Sequence, residues 1–426
     1  MPDAAPRTGR SHTRMLALND FEIAAKRLLP RTIFGYVSGG VEDNQSLRDN
    51  RAAFAEHGLV PRVLVDVSQR SQSVTLFGRT YDSPFGIAPM GLSALSAYRG
   101  DIAMACAARA TNVPMILSGS SLIPLEDVIR AAPETWFQAY LPGNAERIDA
   151  LLDRVGAAGV RTLVLTVDIP VYGNRENNIR NGFSTPLRPS LRLAWDGVTH
   201  PRWLLGTFLH TLVRHGMPHF ENSFAERGAP VLSPNVLRDF TGRDHLNWRH
   251  VDQIRRRWKG ELILKGVLNV ADARMAREHG ADGVIVSNHG GRQLDGALSP
   301  LRVLPDIVSA LGAYPVMMDG GIRRGTDVVK ALALGATFVF VGRPFAYAAA
   351  IGGQAGVEHA IRLLREEVDR DMALLGVSGC GELGPELLFR ATPGAIHPAT
   401  PPVSDTSMPA RINGSTACLA ATSAPV

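Results

Sequence analysis

The chain has 426 residues, 45% of them hydrophobic and 20% charged, a globular composition that excludes disordered and collagen-like classes. Forty-five Lys and Arg against forty Asp and Glu leave a formal charge of +5. An excess this small fits nucleic acid, acidic lipid or anionic substrates alike until it is localised. Three scattered cysteines, Cys106, Cys380 and Cys418, form no CxxC and argue against a disulfide framework or a zinc site.

In chain order, the basic start MPDAAPRTGRSHTRM leads into no apolar stretch, so it is not read as a secretory signal. No run approaches about 18 apolar residues, so no spanning helix is expected. Residues 20–29 (DFEIAAKRLL) read as a helix capped by Asp20 and stopped at Pro30, within an N-terminal extension and helical cap over 1–83. Beyond it a unit recurs, a helical pattern ending in Gly, an apolar β-rich run, then a polar or Gly-rich loop. AAGVRTLVLTVD (157–168), EHGADGVIVSN (278–288) and ALGATFVFVGR (333–343) are its clearest copies. Gly suits the helix C′ position, and parallel strands buried on both faces read as continuous apolar runs.

The same reading places strands at 84–89, 114–118, 136–140, 162–168, 262–266, 283–287, 315–319 and 337–341. Between them, Asp101, Asn269 with Asp272, and Ser299 before Pro300 mark helix starts. Eight strands alternating with helices predict an α/β fold, a (β/α)8 TIM barrel over 84–392 including C-terminal helices. An open doubly wound sheet is the competing arrangement. A long insertion, 170–247, follows the fourth strand and far exceeds a βα loop. Residues 393–426, rich in Pro, Ala, Ser and Thr, are expected to form a disordered tail.

Barrel enzymes take catalytic groups from the C-terminal ends of strands and hold phosphate with the loops after strands seven and eight. Those ends carry Pro89-Met90-Gly91, Ser118, Gln138, Tyr140, Thr166, Asp168, Lys265, Ser287 to Arg292, Asp319 to Gly325, and Gly342-Arg343. DGGIRRG (319–325) and VGRP (341–344) join glycines, arginines and helix starts, as a phosphate cradle requires; the plainer reading is a turn with solvent-facing arginines. No GxGxxG follows a strand, so a mononucleotide such as FMN fits better than a dinucleotide. In VSNHGGRQLDG (286–296), His289 is a candidate proton acceptor and Arg292 a candidate carboxylate clamp, with Asp168 as orienter of the imidazole. A loop-capping His and a strand-end Lys265 reaching solvent are the alternatives.

DGGIRRG, VSNHGGRQLDG, LILKGV, WFQAY, LTVD and YVSGGVEDN together resemble the FMN-dependent 2-hydroxy acid dehydrogenase/oxidase family over residues 17–390. APMGLSALSAYRGD, YGNRENNIRNGF and DGVTHPRW…VRHGMP look closest to its mandelate dehydrogenase branch, with the bacterial quinone-linked L-lactate dehydrogenases next. The resemblance implies His289 as proton acceptor supported by Asp168, and Tyr36, Arg175 and Arg292 on the substrate carboxylate. It implies Tyr140 at the substrate hydroxyl or developing keto oxygen, and Lys265 beside the flavin. Pro89, Met90, Gly91, Ser118, Gln138 and Thr166 fall to the isoalloxazine side. Asp319 falls to the ribityl chain, Gly321, Arg323, Gly342 and Arg343 to the phosphate, and Ser287, Gly320 and Ile322 to the cofactor without a finer assignment. Gly91 and Ser120 depart from the Ala and Trp of other members, leaving room for a phenyl side chain or reflecting neutral variation.

Residues 188–220 of the insertion hold Arg188, Arg192, Arg202 and Arg214 against one acid, Asp196, together with Trp195, Trp203 and a series of Leu, Phe and Val. That suits a segment lying in a membrane interface; a lid or subunit contact is the alternative. With the resemblance, the expectation is a cytoplasmic enzyme, peripheral on the inner face of the cell membrane, homotetrameric, and passing electrons to membrane quinone. A soluble oxidase using O2 is the alternative. No metal is expected at His210, His215 and His219, and no nucleic acid is needed to explain the charge.

Overall fold

A computed structural model describes residues 10–184, 187–233 and 243–390, so the expected tail at 393–426 lies outside the described residues. Eight parallel strands form one sheet: β1 (Phe85–Ile87), β2 (Ile116–Ser118), β3 (Trp136–Ala139), β4 (Thr162–Thr166), β5 (Glu261–Val267), β6 (Gly283–Val286), β7 (Val316–Asp319) and β8 (Phe338–Val341). β1 pairs with β8 through Val339–Phe85, Phe340–Gly86 and Val341–Ile87. On its other side, the Ile87 N–H donates to the Pro114 carbonyl at 2.8 Å, bringing β1 against the approach to β2. The sheet therefore curls into a TIM barrel, and the open-sheet alternative is discarded.

All five residues of β4 are buried. Leu163 and Leu165 point outward into the helix-covered core, whereas Val164 packs inside the barrel with Ile116, Ile263, Ile285 and Met317. The period-2 alternation thus survives within a run that is apolar throughout. A helix follows each strand, from Gly100–Ala110 after β1 to the long, Gly353-kinked Arg343–Leu375 after β8. The glycines closing the three sequence repeats, Gly159, Gly280 and Gly335, have φ of +87°, +78° and +98°, the left-handed turn that sends the chain from helix to strand.

The N-terminal region covers both ends of this barrel. The hairpin Val74–Leu76/Arg79–Tyr81 seals the N-terminal end, with Tyr81 against Phe338 (5.8 Å) and Phe77 against Trp136 (6.0 Å). Strand His57–Leu59 pairs antiparallel with Leu388–Arg390, fastening the start of the chain to its end. Helix Arg31–Ser38 reaches the opposite rim, where its Tyr36 joins the cavity described below.

Several local expectations change. The first helix is Leu18–Leu28, and Asp20 lies inside its first turn, accepting from the N–H groups of Leu16 and Ala17. Asp101 is the second residue of Gly100–Ala110 and is buried with its carboxylate on Ser121 (2.7 Å), and burial pushes its pKa up to about 6. Asn269 caps its helix as expected, accepting from the Asp272 N–H at 2.8 Å. Ser299 occupies the expected cap position before Pro300, but its hydroxyl makes no cap bond. Trp203, expected at a surface, is buried with its indole N–H on the Leu95 carbonyl (2.7 Å).

Gly159 and Gly335 allow the backbone and packing costs of the repeat glycine to be separated. A Cβ on Gly159 would meet nothing within 4 Å, whereas one on Gly335 would lie 2.6 Å from Val308. Gly159→Ala should cost about 1–2 kcal/mol from the left-handed conformation alone. Gly335→Ala should cost about 1–3 kcal/mol more from overpacking. Equal denaturation midpoints for the two variants would contradict this assignment.

Candidate active site

The strand ends open into a cavity of about 550 Å³ lined by residues of the barrel rim, the N-terminal helix Arg31–Ser38 and the insertion. It brings together Tyr36, Pro89, Met90, Gly91, Tyr140, Thr166, Arg175, Lys265, His289, Arg292, Asp319, Gly320, Gly321, Ile322, Arg323, Gly342 and Arg343. Ser118, Gln138, Asp168 and Ser287 do not line it; Ser118, Asp168 and Ser287 bond to Ser120, His289 and Lys265, which do.

β4 ends at Thr166, and Asp168 lies two residues beyond, where its carboxylate takes the His289 Nδ1 at 3.0 and 3.2 Å. Burial disfavours the imidazolium, Asp168 offsets only part of this, and the pKa of His289 falls below its ordinary 6.5. The ring is therefore neutral at pH 7, with Nδ1 on the carboxylate and Nε2 as the second ring nitrogen. Ser287 joins this pair to the barrel interior, because its Oγ accepts from both the His289 N–H (3.0 Å) and Lys265 Nζ (2.8 Å).

Lys265 sits within β5 immediately before an irregularity in the β5–β6 register, not at the end of its strand. Burial pulls its ammonium pKa down, but the carboxylates of Asp319, at 3.0 Å, and Asp168 more than offset this, and the net shift is upward. The ammonium stays charged. Burial, reinforced by Asp168, pushes the Tyr140 phenol up, so Tyr140 stays a hydrogen-bond donor at neutral pH.

The arginines form the most costly part of the site. Arg292 Nη1 donates to the carbonyls of Tyr36 (2.8 Å) and Gly39 (2.6 Å). Arg343 donates to those of Val37, Gly39 and Gly290, each at 3.0 Å. Arg323 Nη1 donates to its neighbour Ile322 at 2.9 Å. Burial lowers all three, Arg292 to about 9 and Arg343 to about 10. Among the described residues none of the three has a carboxylate partner. Enclosed cations held only by carbonyl dipoles suit anionic groups on a bound molecule.

Three buried polar atoms at the rim also lack a partner among the described residues, Gln138 Nε2, Thr166 Oγ1 and Asp319 Oδ1. Gln138 is fixed by Ser118 Oγ (3.1 Å) on its Oε1, which leaves its amide donors unspent. A Cβ on Gly321 would fall 2.1 Å from the Asn50 carbonyl, so the loop after β7 runs pressed against the helix Gln45–Ala55. On the substrate side, a Cβ on Gly91 would meet Ser120 Cβ at 2.9 Å and the Tyr36 hydroxyl at 3.6 Å. The two small residues noted in the sequence therefore face one another across the cavity wall.

Sequence reasoning missed part of that wall. Phe183 of the insertion stacks on Tyr36 with centroids 4.4 Å apart, and Tyr172 lies under Arg175 at 5.7 Å. Both fall in YGNRENNIRNGF, but only the arginine signalled chemistry there. Gln293 holds Arg175 Nη2 (2.7 Å) while donating to the carbonyls of Asp168 and Val171. Arg243, 5% exposed, lies 5.1 Å over the Tyr140 ring and belongs to no motif.

Comparison with known proteins agrees with this geometry. The model of the FMN-dependent dehydrogenase family matches residues 25–390. An L-lactate dehydrogenase of Xanthomonas campestris pv. campestris is 41% identical over 385 residues, covering 88% of this chain and 97% of that protein. One from Pseudomonas entomophila is 40% identical over 383 residues, covering 88% and 98%. Among solved structures, a monotopic membrane protein, (S)-mandelate dehydrogenase, superposes with a TM-score of 0.82 at 36% identity, covering 89% of this chain and all of the other. A mandelate oxidase gives 0.72 at 35% identity, covering 87% and 99%.

The imidazole–carboxylate pair makes a checkable claim about protonation. In the folded protein His289, followed by histidine NMR, should titrate below pH 6.5, and in Asp168→Asn lower still, because the carboxylate is what opposes burial. An upward shift in that variant would refute the assignment.

Proposed function

The chain belongs to the FMN-dependent dehydrogenase family, and from that premise we propose that it oxidises an L-2-hydroxy acid of the mandelate or lactate class to the 2-keto acid, passing the electrons to membrane quinone. The observation that carries this reading is a neutral His289 on Asp168 beside enclosed arginines that have no carboxylate of their own.

The residues fit FMN. Gln138 Nε2, Thr166 Oγ1 and Asp319 Oδ1 are unsatisfied polar atoms of the kind a flavin ring and ribityl chain would engage, and Thr166 and Asp319 lie beside Lys265. The glycine turn Gly320–Gly321 with the Arg323 side chain, and Gly342 with Arg343 opening the last barrel helix, offer backbone N–H groups and guanidinium charge to a phosphate, whereas the N–H groups at the start of helix Gly325–Ala333 are taken by Asp327 and Glu367. Bound FMN supplies a two-electron acceptor. Lys265, kept charged by Asp319, stabilises negative charge on the side of the cavity it shares with Thr166.

Arg292, with Arg175 and Tyr36, holds the substrate carboxylate and sets the hydroxyl-bearing carbon against the rim. His289 Nε2 takes the proton that leaves the substrate, and Asp168 stabilises the imidazolium that results. Tyr140, still protonated, donates to the oxygen as it becomes a ketone. Gly91 and Ser120, whose positions abut in the wall, keep that part of the cavity lining small, while Phe183 and Phe220 offer a phenyl group apolar walls. Anaerobic mixing with mandelate or lactate should bleach the flavin, and His289→Gln should keep its flavin while losing turnover by about 10²–10⁴-fold. Unchanged turnover in that variant would remove His289 from this role.

The membrane part of the proposal rests on the insertion. Helix Leu191–Val198 exposes Leu191, Trp195 and Val198, and the helical run that follows exposes Leu205, Leu209 and Val213 beside Arg202 and Arg214. Apolar side chains with basic neighbours favour an acidic lipid surface. Among the described residues no helix is long and apolar enough to cross a membrane. Because Trp203 and Phe220 are buried, the segment cannot simply be removed. Trp195→Ser with Leu205→Ser and Val213→Ser should instead release the protein from acidic vesicles while dye-linked activity persists. Unchanged sedimentation with the vesicles would refute the interface.

O2 as acceptor is the second reading, favoured by the similarity to a mandelate oxidase. Peroxide formed in proportion to substrate consumed would select it.

A further inference from the structure

Helix Arg31–Ser38 has a deficit at its N-terminus. Its N-cap is Pro30, which makes no side-chain cap, so the first N–H groups need a partner from elsewhere. The insertion supplies one: the Asp196 carboxylate accepts from the Arg31 N–H (Oδ1, 3.1 Å) and the Thr32 N–H (Oδ2, 3.0 Å), from 165 and 164 residues away. Asn181 adds two bonds at the same end, its Oδ1 taking Arg31 Nε and its carbonyl taking the Thr32 hydroxyl, both at 3.0 Å.

The other end of this helix is in the cavity. Its last turn carries Tyr36, and the carbonyls of Tyr36, Val37 and Gly39 hold Arg292 and Arg343. A carboxylate at the N-terminus and two guanidinium groups at the C-terminus both favour the helix dipole. With only eight residues, the helix cannot hold its own position; Ile33 and Phe34 pack its body against the core, and these end contacts fix its two termini.

We propose that Asp196 is a positioning residue for substrate binding. By capping helix Arg31–Ser38 it fixes the height of Tyr36 and of the carbonyls that aim Arg292, so Asp196 completes the carboxylate site without itself touching substrate. His200, whose Nδ1 lies 2.7 Å from the Asp196 carbonyl and 3.7 Å from its Oδ1, holds Asp196 within its own helix turn. The inference rests on the assignment of Tyr36 and Arg292 to the substrate carboxylate.

The test uses flavin-loaded full-length enzyme and reads KM and kcat separately for mandelate and lactate. Asp196→Ala should raise KM about ten-fold, the size of a lost helix cap, with kcat within about two-fold and flavin content unchanged. Asp196→Asn, which keeps an acceptor but no charge, should raise KM about three-fold. Affinity for the 2-keto acid product, read from the flavin spectrum, should weaken in parallel; a merely structural role would lower thermal stability without this selective change. An unchanged KM in flavin-loaded Asp196→Ala overturns the proposal. If that variant does not fold, an unchanged KM in Asp196→Asn overturns it. Arg292→Met in the same assay separates the two claims. If it leaves KM unaltered, the carboxylate assignment itself is wrong. If it raises KM while the Asp196 variants do not, only the positioning role fails.

Discussion

Buried positive charge governs the architecture of the rim. Arg292, Arg323, Arg343 and Lys265 converge on one cavity, and of the carboxylates beside them Asp319 is engaged by Lys265 and Asp168 by His289. Taking a cation out of water without a counter-charge is expensive, and the protein meets that cost only in part. It spends carbonyl dipoles on Arg292 and Arg343, concentrated where a helix C-terminus already carries partial negative charge. The remaining deficit suits a ligand with a phosphate and a substrate with a carboxylate. A preference for anionic groups thus follows from the same buried charge.

The same economy fixes the proton chemistry. One hydroxyl, Ser287 Oγ, ties the backbone at His289 to the ammonium of Lys265, so the two residues hold a common geometry. Asp168 and Asp319 sit on opposite sides of that joint and are each matched to one basic group. Burial keeps His289 neutral and Tyr140 protonated, so acceptor and donor coexist at one pH although both are enclosed. The Asn50–Asn288 amide pair, with two reciprocal bonds of 2.8 Å, clamps the same loop to the N-terminal region.

The eight strands were legible because strands covered on both faces must be apolar throughout, and because Gly159, Gly280 and Gly335 mark the turns before them. The rim motifs were legible because glycine and charge rarely alternate so densely without a ligand to meet. Helix caps were harder to read. Asp20 and Asp101 carry the right chemistry for a cap yet lie inside their helices, where the first reaches back to the N–H groups of Leu16 and Ala17 and the second turns inward to a buried hydroxyl. Trp203 has the composition of an interfacial residue, but only tertiary packing shows its indole directed to Leu95. Arg243 and Asp196 gave no local signal at all, since each acts on a residue more than a hundred positions away.

The separation between helix Arg31–Ser38 and its partners also bears on how the chain is made. The helix emerges early, but its N-terminal cap is residue 196 and the arginines at its other end are residues 292 and 343. A peptide of eight residues gains little from its own hydrogen bonds, so during synthesis the ends of this segment stay unsecured until most of the barrel has left the ribosome. The helix that carries Tyr36 is among the first parts translated and among the last whose two ends can be secured. A half-made chain therefore carries a helix whose polar ends wait for partners that are still to be translated.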